Sequence, residues 1–259
     1  MKRLLLVMLL GLLPALSLAD AHGADLERVD IDVSDKAAMQ DGAQTFVNYC
    51  MGCHSARFQR YERVADDLGI PHDLMLEKLV LTGAKIGDHM TIGMQPADAK
   101  AWFGATPPDL TLVARVRGTD WLYGYLRSFY EDPTRPWGVN NTVYPNVAMP
   151  NVLEALQGRQ RLNCKKPPRV EDDNKQHDPL TGSPLTQEAC DQLVIVPNTG
   201  TLTEDQFNEK VKNLVTFLDY SANPDKLQHQ RIGTYVLLYL AVLFILAYLL
   251  KREYWKDIH

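Results

Sequence analysis

The spacing of hydrophobic side chains predicts two amphipathic helices near opposite ends of one domain. Asp35 is a predicted N-cap, and the apolar residues that follow it at helical spacing are Met39, Ala43, Phe46, Val47 and Cys50. Residues 203–206 are typical of a capping box, and the same spacing follows in Phe207, Val211, Leu214, Val215 and Leu218. Because each helix has one apolar face to cover, we expect the two to pack, with Gly42 permitting a close crossing. Periodicity alone is also compatible with two separate core helices.

A shorter apolar run lies at the N-terminus. Met1 to Arg3 is basic, the run to Leu18 is largely apolar, and Ala19 completes a small-residue cleavage pattern. This order is typical of a secretory signal peptide, predicted here over residues 1–19. A retained N-terminal anchor is the alternative. Export would expose the following domain, residues 20–225, to an oxidising compartment.

A second apolar run lies near the C-terminus. Residues 232–250 are 19 positions without a charge, which at about 1.5 Å per residue nearly span a hydrocarbon core of about 30 Å. We predict a transmembrane helix there, in contact with the lipid bilayer, and a cytoplasmic tail over residues 251–259. A buried core helix is the alternative.

Composition narrows the choice of partners. The chain has 27 Lys+Arg against 32 Asp+Glu, a net charge of -5, and 46% hydrophobic residues. These values fit a folded protein. The acidic balance argues against nucleic acid as the main partner, since phosphate binding needs clustered basic side chains, and favours a basic partner protein.

The sharpest chemical signal is Cys50-Met51-Gly52-Cys53-His54, the pattern of c-type haem attachment. Two thiols at this spacing form thioethers with the haem vinyl groups, and the adjacent imidazole binds the iron. One motif predicts one covalent haem c. A redox dithiol, half of a zinc site and a structural disulfide are the alternatives, but the chain has no second Cys-x-x-Cys.

The residue opposite His54 on the iron is left open by the motif. Met149 lies in a loop bracketed by Pro145 and Pro150 and is the first candidate; Met90 and Met94 are rivals, whereas Met75 has a core pattern. The further histidine candidates are His72, His89, His177 and His229. An open position would instead indicate ligand or peroxide chemistry.

A second cysteine pair, Cys164 and Cys190, is too widely spaced for a metal knuckle. In an exported domain we predict a disulfide that closes a loop of about 27 residues. Two buried free thiols are the alternative.

The order of motifs resembles the cytochrome c1 family of cytochrome bc1 complexes. The resemblance rests on the Cys50 to His54 motif, the segment Trp102 to Leu110, the Met149 loop and a single C-terminal anchor, and it extends from about Asp35 to Trp255. It implies a mainly α fold: a class I-like cytochrome c domain with a loop insertion, about residues 159–198, and one C-terminal transmembrane helix. The insertion is not part of the minimal family pattern.

The same resemblance implies roles for individual residues. Met149 would be the sixth ligand. Pro107 and Pro108 would line the His54 side of the haem, where a backbone carbonyl accepts the Nδ1 proton. Arg117, or in second place Arg115, would pair with a haem propionate. A plain Pro-Pro turn and solvated arginines are the alternatives.

The implied function is electron transfer. The protein would carry electrons from a Rieske iron–sulfur protein to a soluble cytochrome c, beside a cytochrome b, in a quinol:cytochrome c oxidoreductase, and would be no enzyme on its own. It would be a single-pass protein of the bacterial inner membrane with its haem domain in the periplasm. A haem c enzyme with an open distal site and an anchored cytochrome that feeds a terminal oxidase are the alternatives.

Overall fold

A computed structural model of the chain describes residues 26–165 and 189–256. The predicted signal peptide lies outside the described residues. The fold is mainly helical. The helices are α1 (Lys36–Thr45), α2 (Tyr61–Leu68), α3 (His72–Lys78), α4 (Pro96–Phe103), α5 (Val113–Arg117), α6 (Thr119–Arg127), α7 (Glu154–Gln157), α8 (Glu204–Ala222) and α9 (Lys226–Tyr254). The strands are β1 (Ala56–Arg60), β2 (His89–Met90), β3 (Phe129–Glu131), β4 (Val139–Asn141), β5 (Gln160–Lys165) and β6 (Ala189–Ile195).

The two predicted amphipathic helices, α1 and α8, are present and pack against each other. A Cβ added at Gly42 would lie 2.1 Å from the backbone oxygen of Asn213, so only glycine permits this crossing. The rings of Phe46 and Phe217 meet beside it at 5.6 Å. The predicted caps are also present: Asp35 accepts from the N–H of Ala38, and α8 begins with a capping box.

The main core surrounds this helix pair. Helices α5 and α6 pack on α8, and the buried cluster runs from Val33 to Ala222 in sequence. A second, smaller cluster consists of Phe129, Val139 and Val147, with Tyr125 and Met149 packed against it. Tyr125 contacts both clusters and therefore connects them.

Among the described residues there are three antiparallel strand pairs: β1 with β2, β3 with β4, and β5 with β6. The β5–β6 pair lies within the predicted insertion and docks on β3. Arg159 and Arg161 form ion pairs with Glu131, and the Gln160 side chain donates to the carbonyl of Phe129 at 2.8 Å. The ends of the insertion are therefore fixed to the domain.

Helix α9 is the candidate membrane-spanning helix, by length and composition. Its 29 residues extend past both ends of the predicted span, and none of them is buried by the other residues that the structure describes. Residues 223–225 connect it to α8. Arg63 of α2 contacts Asp225 at 2.9 Å, and Lys226 contacts Asp219 at 2.7 Å. The connection is thus short and tied by ion pairs.

Candidate haem site

The Cys-x-x-Cys-His motif follows a change of helix type. The predicted helix runs to Cys50, but the α-helical part ends at Thr45 and residues Phe46–Cys50 form a π-helical turn. The N–H groups of Cys53 and His54 then both donate to the Cys50 carbonyl, at 3.0 and 2.9 Å. A π turn at this point is a feature common at functional sites. It leads directly into a tight turn that holds all three motif residues.

The two motif thiols are free and differ in environment. Cys50 is buried and Cys53 is partly exposed. Burial, followed by the proximity of Cys53, raises the pKa of the Cys50 thiol to about 12. Neither thiol is paired in a disulfide, so both are available for thioether formation.

His54 is oriented by the backbone. Its Nδ1 lies 2.7 Å from the carbonyl oxygen of Pro108. A carbonyl only accepts, so Nδ1 carries a proton, and in the neutral imidazole Nε2 then keeps its lone pair. Burial lowers the pKa of His54, against the opposing effects of the Pro108 carbonyl and the Asp109 carboxylate. A neutral imidazole with a free Nε2 is the form that binds iron.

The segment that contains Pro108 is itself held against the motif. The N–H of Leu110 donates to the Ser55 carbonyl at 2.8 Å, and the N–H of Arg57 donates to Asp109 at 2.8 Å. These bonds align residues 108–110 with the chain that leaves His54. The Pro108 carbonyl is therefore held in place through the two residues that follow it.

Met149 lies against aromatic side chains of α6. The hydroxyl of Tyr125 donates to Met149 Sδ at 3.4 Å, and the Tyr125 ring stacks on Trp121 at 4.9 Å. Burial raises the pKa of the Tyr125 hydroxyl, which is therefore a protonated donor at neutral pH. Met149 is only partly buried, so its side chain is not fully enclosed by the described residues.

The rival methionines divide into two groups. Met75 and Met90 are 0% exposed and enclosed by protein atoms; the core position predicted for Met75 is confirmed, and Met90 shares that environment. Met94 is partly buried and lines a cavity of about 260 Å³ together with Cys53 and Pro107. A thioether that binds iron needs accessible surface, so Met94 is the remaining rival of Met149.

The histidine candidates do not cluster. His72 contacts Asp66 at 2.8 Å, His89 is exposed on β2 and His229 is exposed on α9. His177 lies outside the described residues.

The two arginines predicted to pair with a propionate differ in their surroundings. The Arg117 guanidinium lies over the ring of Trp121, at 4.9 Å, and near that of Tyr144, at 5.8 Å. Arg115 is exposed on the same short helix. Arg117 thus lies over the aromatic ring that stacks on Tyr125, the neighbour of Met149.

Sequence reasoning missed Trp121 and Tyr125. A signal was present, because the two aromatic residues are four positions apart and therefore share one helical face, one turn after Arg117. The loop contacts of Arg135, Asn140 and Asn141, which hold the Met149 segment, had no comparable local pattern.

The chemistry of these side chains fits a haem. Cys50 and Cys53 are free thiols in a Cys-x-x-Cys-His motif and could form thioethers with the vinyl groups. An imidazole and a methionine thioether are axial ligands that haem iron takes. Within the described ranges, the structure holds no group of three or more His, Cys, Asp or Glu side chains suited to a metal ion. A mainly helical domain with this donor set is typical of the c-type cytochromes.

The chain belongs to the cytochrome c1 family. The model of the Cytochrome C1 family matches residues 30–258. The cytochrome c1 of Allochromatium vinosum is 46% identical over 259 residues, which is 100% of both chains. The ammonia monooxygenase gamma subunit of Nitrosomonas europaea is 38% identical over 259 residues, covering 99% of this chain and 100% of the relative. The cytochrome c1 of Rhodospirillum rubrum is 28% identical over 246 residues, 86% of this chain and 83% of the relative.

Membership of this family has direct consequences. It implies covalently bound haem c and identifies the chain as a c-type cytochrome of the cytochrome bc1 complex type, an electron-transfer subunit. The C-terminal apolar helix fits the membrane anchor of such a protein.

Proposed function

We propose that this chain carries electrons from a Rieske iron–sulfur protein to a soluble cytochrome c, beside a cytochrome b, through one haem c. Cys50 and Cys53 would bind the haem covalently, and His54 and Met149 would be its axial ligands. The observation that carries the proposal is the 2.7 Å contact between His54 Nδ1 and the Pro108 carbonyl, directly after two free thiols. When bound, the haem supplies a reversible one-electron couple.

The surrounding residues supply what that couple requires. A neutral imidazole and a thioether add no charge to the iron and favour the reduced state, which raises the reduction potential. The Tyr125 hydroxyl donates to the sulfur and withdraws electron density from it. Arg117, with Arg115 in second place, supplies positive charge for a propionate, and its position over Trp121 restricts its guanidinium.

The chain organisation supports a periplasmic haem domain on a bacterial inner membrane. We assign residues 1–19 to a signal peptide, 20–225 to the exported domain, 232–250 to the span and 251–259 to the cytoplasmic side. The short connection from α8 to α9, tied by Arg63 and Asp225, suits a head held close to the bilayer surface.

The insertion supports a disulfide between Cys164 and Cys190. The antiparallel register of β5 and β6 places these two residues opposite each other, beside an irregularity at Asn163. Directly opposed residues have Cα atoms roughly 4.5–5.5 Å apart, within the range that a disulfide bridges.

Isolation of the native membrane complex tests the function. We expect a cytochrome b and a Rieske protein to co-purify with the chain, and quinol to reduce its haem before added soluble cytochrome c reoxidises it. Co-purification with a terminal oxidase, or reaction of the haem with peroxide, would favour one of the alternatives. Denaturation and acidic organic extraction test the attachment, because colour that leaves the polypeptide would exclude Cys50 and Cys53 as covalent links.

Methionine variants test the ligation. Met149→Leu should lower the reduction potential and allow the ferrous iron to bind carbon monoxide, since leucine offers no lone pair. Met94→Leu is the matched control and should change neither property. The reverse result would assign the sixth position to Met94.

A further inference from the structure

The loop that carries Met149 takes its shape from side chains of its neighbours. Residues 142–150 contain no helix or strand. Asn141, at the end of β4, is 1% exposed. Its Oδ1 accepts from the backbone N–H groups of Val143 and Tyr144, both at 2.9 Å, and its Nδ2 donates to the Tyr125 carbonyl at 2.8 Å. One buried amide therefore joins the start of the loop to the helix that contacts Met149.

Asn140 holds the next part of the loop. Its Oδ1 accepts from the N–H of Asn146 at 2.8 Å, and its Nδ2 donates to Asp132 at 3.0 Å. Asn146 has a left-handed backbone with φ 62°, a conformation that asparagine adopts more readily than most residues. This turn directs the chain toward Val147, which is buried in the smaller cluster.

Arg135 holds the last part before the methionine. Its Nη2 donates to the carbonyl of Asn146 at 2.8 Å and to that of Val147 at 3.2 Å, and its Nη1 donates to the Asn146 side chain at 3.3 Å. The planar guanidinium can bind these acceptors together, whereas an ammonium group has no such fixed fork. The Val147 carbonyl, the acceptor nearest to the methionine in sequence, lies two residues before Met149.

We propose that Arg135, Asn140 and Asn141 are positioning residues that hold the 142–149 loop in the conformation that presents the Met149 sulfur to iron. The proposal rests on the proposed ligation by Met149. These side chains contact the loop on both sides of Asn146; the loop is also contacted by the Tyr125 hydroxyl, at Met149, and by the Ser128 carbonyl, at Thr142. Their loss should leave haem attachment at Cys50 and Cys53 intact while the sulfur leaves the iron more often.

The test compares full-length, membrane-inserted holoproteins. Arg135→Gln removes the charge and the fork, and Arg28→Gln, at an exposed arginine, is its matched control. The readouts are the far-red absorption band of methionine-bound ferric haem, carbon monoxide binding by the ferrous protein, and the reduction potential. We expect Arg135→Gln to raise the ligand-off population roughly tenfold to a hundredfold, as loss of two charged hydrogen bonds implies. Arg135→Lys should restore part of the band, and Arg28→Gln should retain all of it.

The outcomes separate the positioning role from the ligation itself. An Arg135→Gln holoprotein with the full band, an unchanged potential and no carbon monoxide binding would overturn the positioning role. If Arg135→Gln yields no holoprotein, Asn140→Ser takes its place. A weakened far-red band with carbon monoxide binding would then support the positioning role, and a full band with an unchanged potential and no carbon monoxide binding would overturn it. A Met149→Leu protein that keeps the band would refute ligation by Met149, whereas a lost band there with an intact band in Arg135→Gln refutes only the positioning role.

Discussion

His54 and Met149, the proposed axial ligands, lie in regions that are stabilised by different means. The His54 motif continues from α1, which packs on α8 through a crossing with room only for glycine, and His54 itself is oriented by a backbone carbonyl. The Met149 loop instead depends on polar side chains from β4 and on Arg135. The first region should be sensitive to side-chain volume, and the second to the loss of single hydrogen bonds.

The largest effect should follow from Gly42→Val. The added Cβ would meet the Asn213 backbone, which cannot rotate away as a side chain does, so the helix pair must separate. We expect a loss of at least about 4 kcal/mol of unfolding free energy, together with poor haem incorporation. Urea unfolding and haem content check this. Gly93→Ala is the control, because its Cβ would enter open space, and a similar loss there would contradict the explanation.

The Cys164→Ser/Cys190→Ser double variant should lose less unfolding free energy than Gly42→Val. Opening a loop of about 27 residues removes about 3.5 kcal/mol on the chain-entropy model. The β5 strand is tied to β3 by Glu131, and β3 pairs with β4, which ends at the Met149 loop. The variant should therefore also weaken the far-red band.

Counting thiols on the unfolded, unreduced protein comes first. Two thiols from Cys164 and Cys190 would exclude the disulfide, whereas an intact disulfide whose removal leaves the band unchanged would limit it to a structural role.

Removing a polar contact between α1 and α8 should reduce the unfolding free energy less than either of these changes. Asp41 of α1 forms an ion pair with Lys210 and accepts from Asn213 at 2.9 Å, in a partly exposed position. Asp41→Ala should cost about 1 kcal/mol and leave the ligation unchanged. Chemical unfolding with the Lys210→Met partner variant measures the coupling. Loss of the far-red band in Asp41→Ala would contradict the view that polar contacts of the helix pair leave the Met149 ligation unaffected.

Tyr125→Phe should change the potential with little effect on stability. Removing the hydroxyl leaves the Met149 sulfur a stronger electron donor, which favours ferric iron. One hydrogen bond of about 1 kcal/mol corresponds to a decrease of roughly 20–60 mV for a one-electron couple. Redox titration measures it, with Tyr123→Phe on the same helix as the control. An unchanged potential would show that the contact does not tune the sulfur.

Truncation after Gln230 should have the smallest effect on the site. It removes the apolar part of α9 but retains Asp225 and its contact with Arg63. We expect a soluble domain with unchanged ligation, measured by its absorption spectrum. Failure to fold would show that the anchor contributes to the haem pocket.

Most of the predictable features of this molecule lie in the His54 region, and the contacts that hold the Met149 loop were not predictable. The two helices, their caps and the thiol motif are local patterns, so their spacing indicated them, although periodicity alone was also compatible with helices that do not pack on each other. The π turn at Phe46–Cys50 was not predicted, because its apolar residues still follow a helical period. The Asn140 and Asn141 contacts also escaped prediction, since asparagine before a loop is common and its partners are set by the tertiary fold.

The Pro108 carbonyl has a consequence for how this protein can vary over evolution. Every amino acid at position 108 would still provide a main-chain carbonyl, so no single codon change can delete the acceptor for His54. Arg135, Asn140 and Asn141 offer no such protection, because their contacts belong to the side chains that a codon change replaces. The orientation of the His54 imidazole thus depends on the path of the backbone, whereas the position of the Met149 sulfur depends on the identities of three side chains.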